Sequence, residues 1–66
     1  MPRQFVKLGS SLYQVYSGVT GEWDLIGYVR KRNGKWEFRK EFGYWNDSLT
    51  FDTRTDATLY MEGLYK

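Results

Sequence analysis

Apolar and polar residues alternate through the middle of the chain, from residue 23 to residue 44. At the centre stands Asn33-Gly34, which is typical of a two-residue type I′ turn because both central positions of that turn need positive φ. This turn predicts a hairpin with a defined register. The expected pairs are Arg32 with Lys35, Lys31 with Trp36, Arg30 with Glu37, Val29 with Phe38, Tyr28 with Arg39, Gly27 with Lys40, Ile26 with Glu41 and Leu25 with Phe42.

Side chains alternate between the two faces of a strand, so this register divides the hairpin into an apolar face and an outer face. The apolar face is the predicted core, interrupted only by Lys31 and Lys40, and it carries Trp23, Leu25, Val29, Trp36, Phe38, Phe42 and Tyr44. The outer face is predicted to meet solvent or a partner, and it carries Ile26, Tyr28, Arg30, Arg32, Lys35, Glu37, Arg39 and Glu41. Arg30 opposite Glu37 predicts a cross-strand ion pair.

Residues 12–17 predict a further strand before the hairpin, since they are rich in residues that suit a pleated surface. Tyr13 and Val15 are its expected inward residues. The glycine-rich segment 18–22 predicts a turn. Residues 12–45 are therefore expected to form a three-stranded antiparallel meander.

The C-terminal segment predicts a helix over residues 52–64. Asp52 or Thr53 is the expected N-cap, and Asp56 completes an approximate capping box. Because Gly27 has no side chain, we expect the helix to approach the sheet closely there. The stripe that would cover the apolar face recurs at i, i+3, i+4 and i+7 and consists of Ala57, Tyr60, Met61 and Leu64.

Together these elements predict one small α+β domain spanning residues 1–66, a three-stranded antiparallel β-sheet with one C-terminal α-helix packed on one face. Residues 1–11 are expected to be a tail or a short strand. A chain of 66 residues buries only a modest core. Its three Trp, six Tyr and four Phe allow much area to be buried by few side chains.

The composition excludes most catalytic chemistry. The chain has no Cys and no His, which rules out disulfides, thiolate zinc sites and imidazole catalysis. Asp52 and Asp56 offer oxygen ligands for a metal, but helix capping explains both more simply. We expect no enzyme activity, no metal and no cofactor. No apolar run resembles a signal peptide or a membrane span, so we expect a cytoplasmic location (a nucleoid or host-cell interior) and no membrane partner.

The charge is unevenly distributed although the net charge is only +2. Residues 30–40 hold six basic side chains and one acid, whereas residues 44–66 hold two basic side chains and four acids. Such an asymmetry indicates an anion-binding surface, although exposed strands also carry Lys and Arg for solubility alone.

The outer face is the candidate binding surface, because basic and aromatic side chains coincide there. Arg matches guanine edges in a DNA major groove, which admits a β-ribbon, and Lys suits phosphate. Tyr28 can alternatively stack on single-stranded bases, or form a cation–π cluster that only covers the face. The leading expectation is non-catalytic binding of double-stranded DNA by Tyr16, Tyr28, Arg30, Arg32, Lys35 and Arg39.

The alternative is a small protein-binding or inhibitory module, for example a phage protein that docks on a host protein. Tyr and Arg are enriched among interface anchors, and the anchors here would be Ile26, Tyr28 and Tyr16. An open sheet edge can also pair with a partner or with a second copy, which would give a homodimer.

Three short motifs within residues 27–62 resemble a known family: Arg30-Lys31-Arg32, Gly34-Lys35-Trp36, and Thr50-Phe51-Asp52-Thr53 followed by Ala57 and Tyr60. They resemble the DNA-binding domain of plant ethylene-response factors (the Apetala type) and, more loosely, the arm-binding domains of phage integrases. The resemblance implies three strands and a helix, with the sheet docked in the major groove. It also implies base and phosphate contacts by Arg30, Arg32 and Arg39. Asn33 departs from the family, which has an aromatic residue there.

Overall fold

The computed structural model of the protein describes residues 3–18, 22–46 and 48–64. These residues form an antiparallel sheet in the order β1-β2-β3-β4, followed by one helix. The elements are β1 (Arg3–Lys7), β2 (Leu12–Ser17), β3 (Asp24–Arg32), β4 (Lys35–Lys40) and α1 (Arg54–Gly63). The predicted α+β class and C-terminal helix are confirmed, but the sheet has four strands and not three.

The additional strand is β1, which pairs with β2 at the edge of the sheet. Phe5 lies opposite Val15 and packs against the core. The two strands are joined by a tight connection in which the Leu8 amide donates to the Leu12 carbonyl at 2.8 Å. The sequence predicts a tail or a short strand over residues 1–11, and the pairing with β2 makes residues 3–7 a strand.

The central hairpin forms as the Asn-Gly turn predicts. Asn33 and Gly34 have φ angles of 53° and 79°, the positive values that a type I′ turn requires. Every predicted pair from Arg32–Lys35 to Gly27–Lys40 is present. Strand β4 ends at Lys40, and the Gly43 amide donates to the Lys40 carbonyl at 3.0 Å. That turn diverts the chain before Phe42 can pair with Leu25.

A β-bulge in β3 moves Ile26 away from its predicted position on the outer face. Val15 pairs with Gly27, but the next β2 residue, Tyr16, pairs with Leu25. Ile26 is therefore the extra residue of the bulge, where strict alternation of side chains fails. Its side chain is only 9% exposed and belongs to the core cluster.

The core lies between α1 and the apolar face of the sheet. Its buried apolar members are Val15, Ile26, Val29, Phe38, Ala57 and Met61. Trp36, Phe51 and Tyr13 pack at its edges. Three predicted core aromatics are exposed instead: Trp23, Phe42 and Tyr44. Trp23 precedes β3, and the other two follow β4, so strand alternation does not govern where they point.

The helix begins after Thr53, whose Oγ1 accepts a hydrogen bond from the Asp56 amide at 3.0 Å. Thr53 is therefore the N-cap, and Asp52 is not. Just before it, Phe51 pairs with Trp36 through two backbone hydrogen bonds of 2.8 and 2.9 Å, which tie the start of α1 to β4.

The buried face of α1 differs from the predicted stripe. Ala57 and Met61 are buried as expected, but Tyr60 and Leu64 are about half exposed. Polar Thr58 and Glu62 are buried in their place. Thr58 Oγ1 donates to the Arg54 carbonyl at 2.9 Å.

Glu62 is stabilised by β1. Its two carboxylate oxygens accept hydrogen bonds from the Arg3 guanidinium at 2.8 and 3.2 Å, and this bond raises the pKa of Arg3 above its usual value. The apolar periodicity of the helix cannot reveal a polar partner on a distant strand.

Replacing Thr53 with alanine should lower the free energy of unfolding by about 1 kcal/mol, because the Asp56 amide loses its acceptor. Urea denaturation measures this difference. Thr55→Ala removes the same side chain from an exposed position of the same helix and should change stability by less than about 0.5 kcal/mol. Equal losses in the two variants would contradict the capping role.

Candidate functional site

The outer face carries all six predicted site residues. The cross-strand pairs Tyr28–Arg39, Arg30–Glu37 and Arg32–Lys35 form three successive rows across β3 and β4. Tyr16 extends the face onto β2, where its hydroxyl lies 3.4 Å from Gln14 Oε1 on the same side of the strand. Strand alternation therefore brings the predicted residues together, as expected from the hairpin register.

Glu37 lies at the centre of the outer face and is buried. Its Oε1 accepts a hydrogen bond from Arg30 Nε at 2.8 Å, and its Oε2 lies 3.6 Å from Arg32 Nη2. The predicted Arg30–Glu37 ion pair is thus present, and Arg32 joins it. A buried carboxylate needs such partners, so one Glu side chain holds two of the candidate DNA-binding arginines.

Aromatic rings hold the remaining arginine and cover part of the face. Arg39 Cζ lies 4.1 Å from the centre of the Tyr28 ring. The Trp45 ring lies 4.1 Å from Arg30 Cζ and 5.7 Å from Arg39 Cζ. A guanidinium over an aromatic face is attractive, so Trp45 joins this cluster.

Trp45 is a site residue that sequence reasoning missed. It belongs to residues 41–46, here termed the aromatic loop, which folds back so that Trp45 reaches Arg30 on the outer face. The sequence signal is the aromatic run Phe-Gly-Tyr-Trp after β4, and it does not specify towards which face of the sheet the loop folds. In the same loop Phe42 and Tyr44 are each 92% exposed.

The hairpin turn is linked to the start of the helix by an exposed ion pair. Lys35 Nζ binds the Asp52 carboxylate, and this hydrogen bond lowers the pKa of Asp52 below its usual range. Asp52 is therefore a partner of the basic hairpin. Among the described residues, no cluster of three or more Asp, Glu, His or Cys side chains is placed to hold a metal ion.

Comparison of the chain with protein-family models, curated proteins and solved structures finds no match. Within the described residues, no helix has the length and apolar character needed to span a membrane. The features of the molecule that bear on function are therefore the chemistry of the outer face and of the aromatic loop.

Proposed function

We propose that the protein binds double-stranded DNA through its outer face and catalyses no reaction. The observation that carries the proposal is the placement of Arg30, Arg32, Lys35 and Arg39 on the side of the sheet that α1 does not cover. The three rows hold four cations and one carboxylate, a charge of +3, and the Asp52 carboxylate paired with Lys35 offsets one further cation. A cationic surface of this kind attracts the DNA backbone whatever its sequence.

The arginines of this face are held in position by their neighbours. Glu37 fixes the Nε of Arg30, and the Tyr28 ring supports Arg39. Side chains that are already ordered lose less conformational freedom on binding. Two strands about 5 Å apart also fit a major groove about 12 Å wide.

The turn end of the hairpin is the most accessible part of the face. Arg32 and Lys35 have side chains that are 47% and 53% exposed, whereas Arg30 lies under Trp45. We therefore assign the first contact with DNA to the turn end. Arg30 and Arg39 then lie deeper in the interface, beside the aromatic loop.

Binding to a labelled random-sequence duplex at low and moderate salt tests the proposal. We expect a dissociation constant of about 1–100 μM at moderate salt, with a salt dependence equivalent to about three or four phosphates. Absence of binding even at low salt would overturn the proposal.

A matched pair of lysine variants distinguishes binding through the outer face from binding that follows net charge alone. Lys35→Ala should weaken duplex binding and reduce the salt slope by about one phosphate equivalent. Lys31 flanks the same turn but pairs with Trp36 on the face towards α1. Lys31→Ala removes the same charge and should have a much smaller effect. Equal effects would show that binding follows net charge and not this face.

The alternative function, docking on a protein, receives less support from the structure where it would use the outer face. Of its three expected anchors, Ile26 belongs to the core, and Tyr16 and Tyr28 are only partly exposed. The outer face therefore presents charged groups more than apolar area.

A further inference from the structure

We infer that the aromatic loop binds unpaired nucleobases, so that the protein prefers duplex DNA adjoining a single-stranded segment. The inference rests on the proposed binding of DNA. It starts from Phe42 and Tyr44, which each keep 92% of their surface exposed. A small domain uses large aromatic rings mainly to fill its core, and these two rings contribute almost nothing to it.

The position of the loop links these rings to the cationic surface. Trp45 lies against Arg30 and next to Arg39, which holds one end of the loop on the outer face. At the other end, Arg39 Nη1 donates to the Lys40 and Glu41 carbonyls at 3.4 and 3.3 Å. The loop is therefore attached at both ends to the arginines that would contact phosphate, and the exposed rings lie between the attachments.

This arrangement has the two components of single-strand recognition. Bases stack on exposed aromatic side chains, and neighbouring cations attract the backbone that connects them. Paired bases inside a duplex cannot offer their faces to Phe42 or Tyr44, whereas the bases of an overhang can. An apolar protein groove would match the rings but not the arginines that hold the two ends of the loop, so the charge favours a polyanion.

The experiment compares two DNA molecules at moderate salt by fluorescence anisotropy. One is a duplex with a short single-stranded overhang, and the other is the same duplex with the overhang paired to its complement. Stacking on two rings should make the first bind at least tenfold more tightly. The overhang is tested at the 3′ and at the 5′ end, because the direction of the bound strand is part of the answer.

The double variant F42A/Y44A should lose the preference and retain the affinity for the fully paired duplex. Because both rings are exposed, the variant should have the same melting temperature as the wild-type protein, and a thermal denaturation curve checks this. Leu59→Ala truncates an exposed apolar side chain on α1 and should leave both affinities unchanged.

Three results would overturn the inference. Equal affinity for the fully paired and the overhanging DNA would refute the inference about the aromatic loop and leave the proposed function intact. Loss of duplex binding in F42A/Y44A would place the rings in the duplex interface instead. Absence of binding to either DNA overturns both proposals and points to an apolar protein surface as the partner of the rings.

Discussion

Replacing Gly27 with valine should lower the free energy of unfolding by about 3 kcal/mol or more. A Cβ atom at this position would lie 2.3 Å from the Arg39 carbonyl oxygen and 2.6 Å from Met61 Sδ. The thioether can move, but the carbonyl belongs to β4 and can retreat only if the strand pairing distorts. The sequence predicts a close approach of the helix here, and the structure shows that β4 approaches even more closely.

Urea denaturation of the Gly27 variants measures the effect. Gly27→Ala already adds the offending Cβ, so it should lose most of the stability that Gly27→Val loses. The control is Gly63→Ala in the last turn of α1, where an added Cβ meets nothing within 4 Å. That variant should be neutral or stabilised by up to about 1 kcal/mol, because alanine favours a helix more than glycine does. A Gly27→Val protein that melts like wild type would contradict this account of the core.

Truncating Met61 to alanine should cost about 3 kcal/mol, within the 2–5 kcal/mol typical of buried Met-to-Ala changes. Met61 is fully buried and extends from α1 to the surface of Gly27. Its removal leaves a cavity in the middle of the contact between helix and sheet. Small domains have little stability to spare, so the variant should contain a measurable unfolded fraction at 37 °C.

Leu59→Ala is the matched control for Met61→Ala. Leu59 lies on the same helix but is 51% exposed, so its truncation should cost less than about 1 kcal/mol. Thermal melts followed by circular dichroism compare the two variants directly. Similar losses from both would mean that α1 does not pack on the sheet through Met61.

The basic residues of the outer face differ in how far neighbouring side chains already engage them. Arg30 satisfies the buried carboxylate of Glu37 and supports the Trp45 ring. Arg32 and Lys35 are more exposed and lie at the turn, where a groove or a phosphate can reach them. Under the proposed function, the charge on this hairpin therefore overstates the number of cations available to DNA, because Glu37 and Asp52 neutralise part of it.

Local signals in the chain were sufficient for the central hairpin, and they restricted the helix N-cap to Asp52 or Thr53. Asn33-Gly34 requires positive φ, and the strand period of two then places Arg30, Arg32 and Arg39 on one face. The start of α1 follows from the Thr53 hydroxyl and its neighbour three residues on. Each of these features depends on residues close in sequence or directly across one tight turn, which is why a pattern predicts them.

The remaining features depend on tertiary contacts that no pattern of neighbouring residues encodes. β1 exists through its pairing with β2, and the burial of Glu62 depends on Arg3, 59 residues away. The return of Trp45 over Arg30 depends on the turn that ends β4, which no period of apolar residues encodes. Long-range partners decide whether a polar side chain is buried, because burying a polar group without a hydrogen-bond partner is costly.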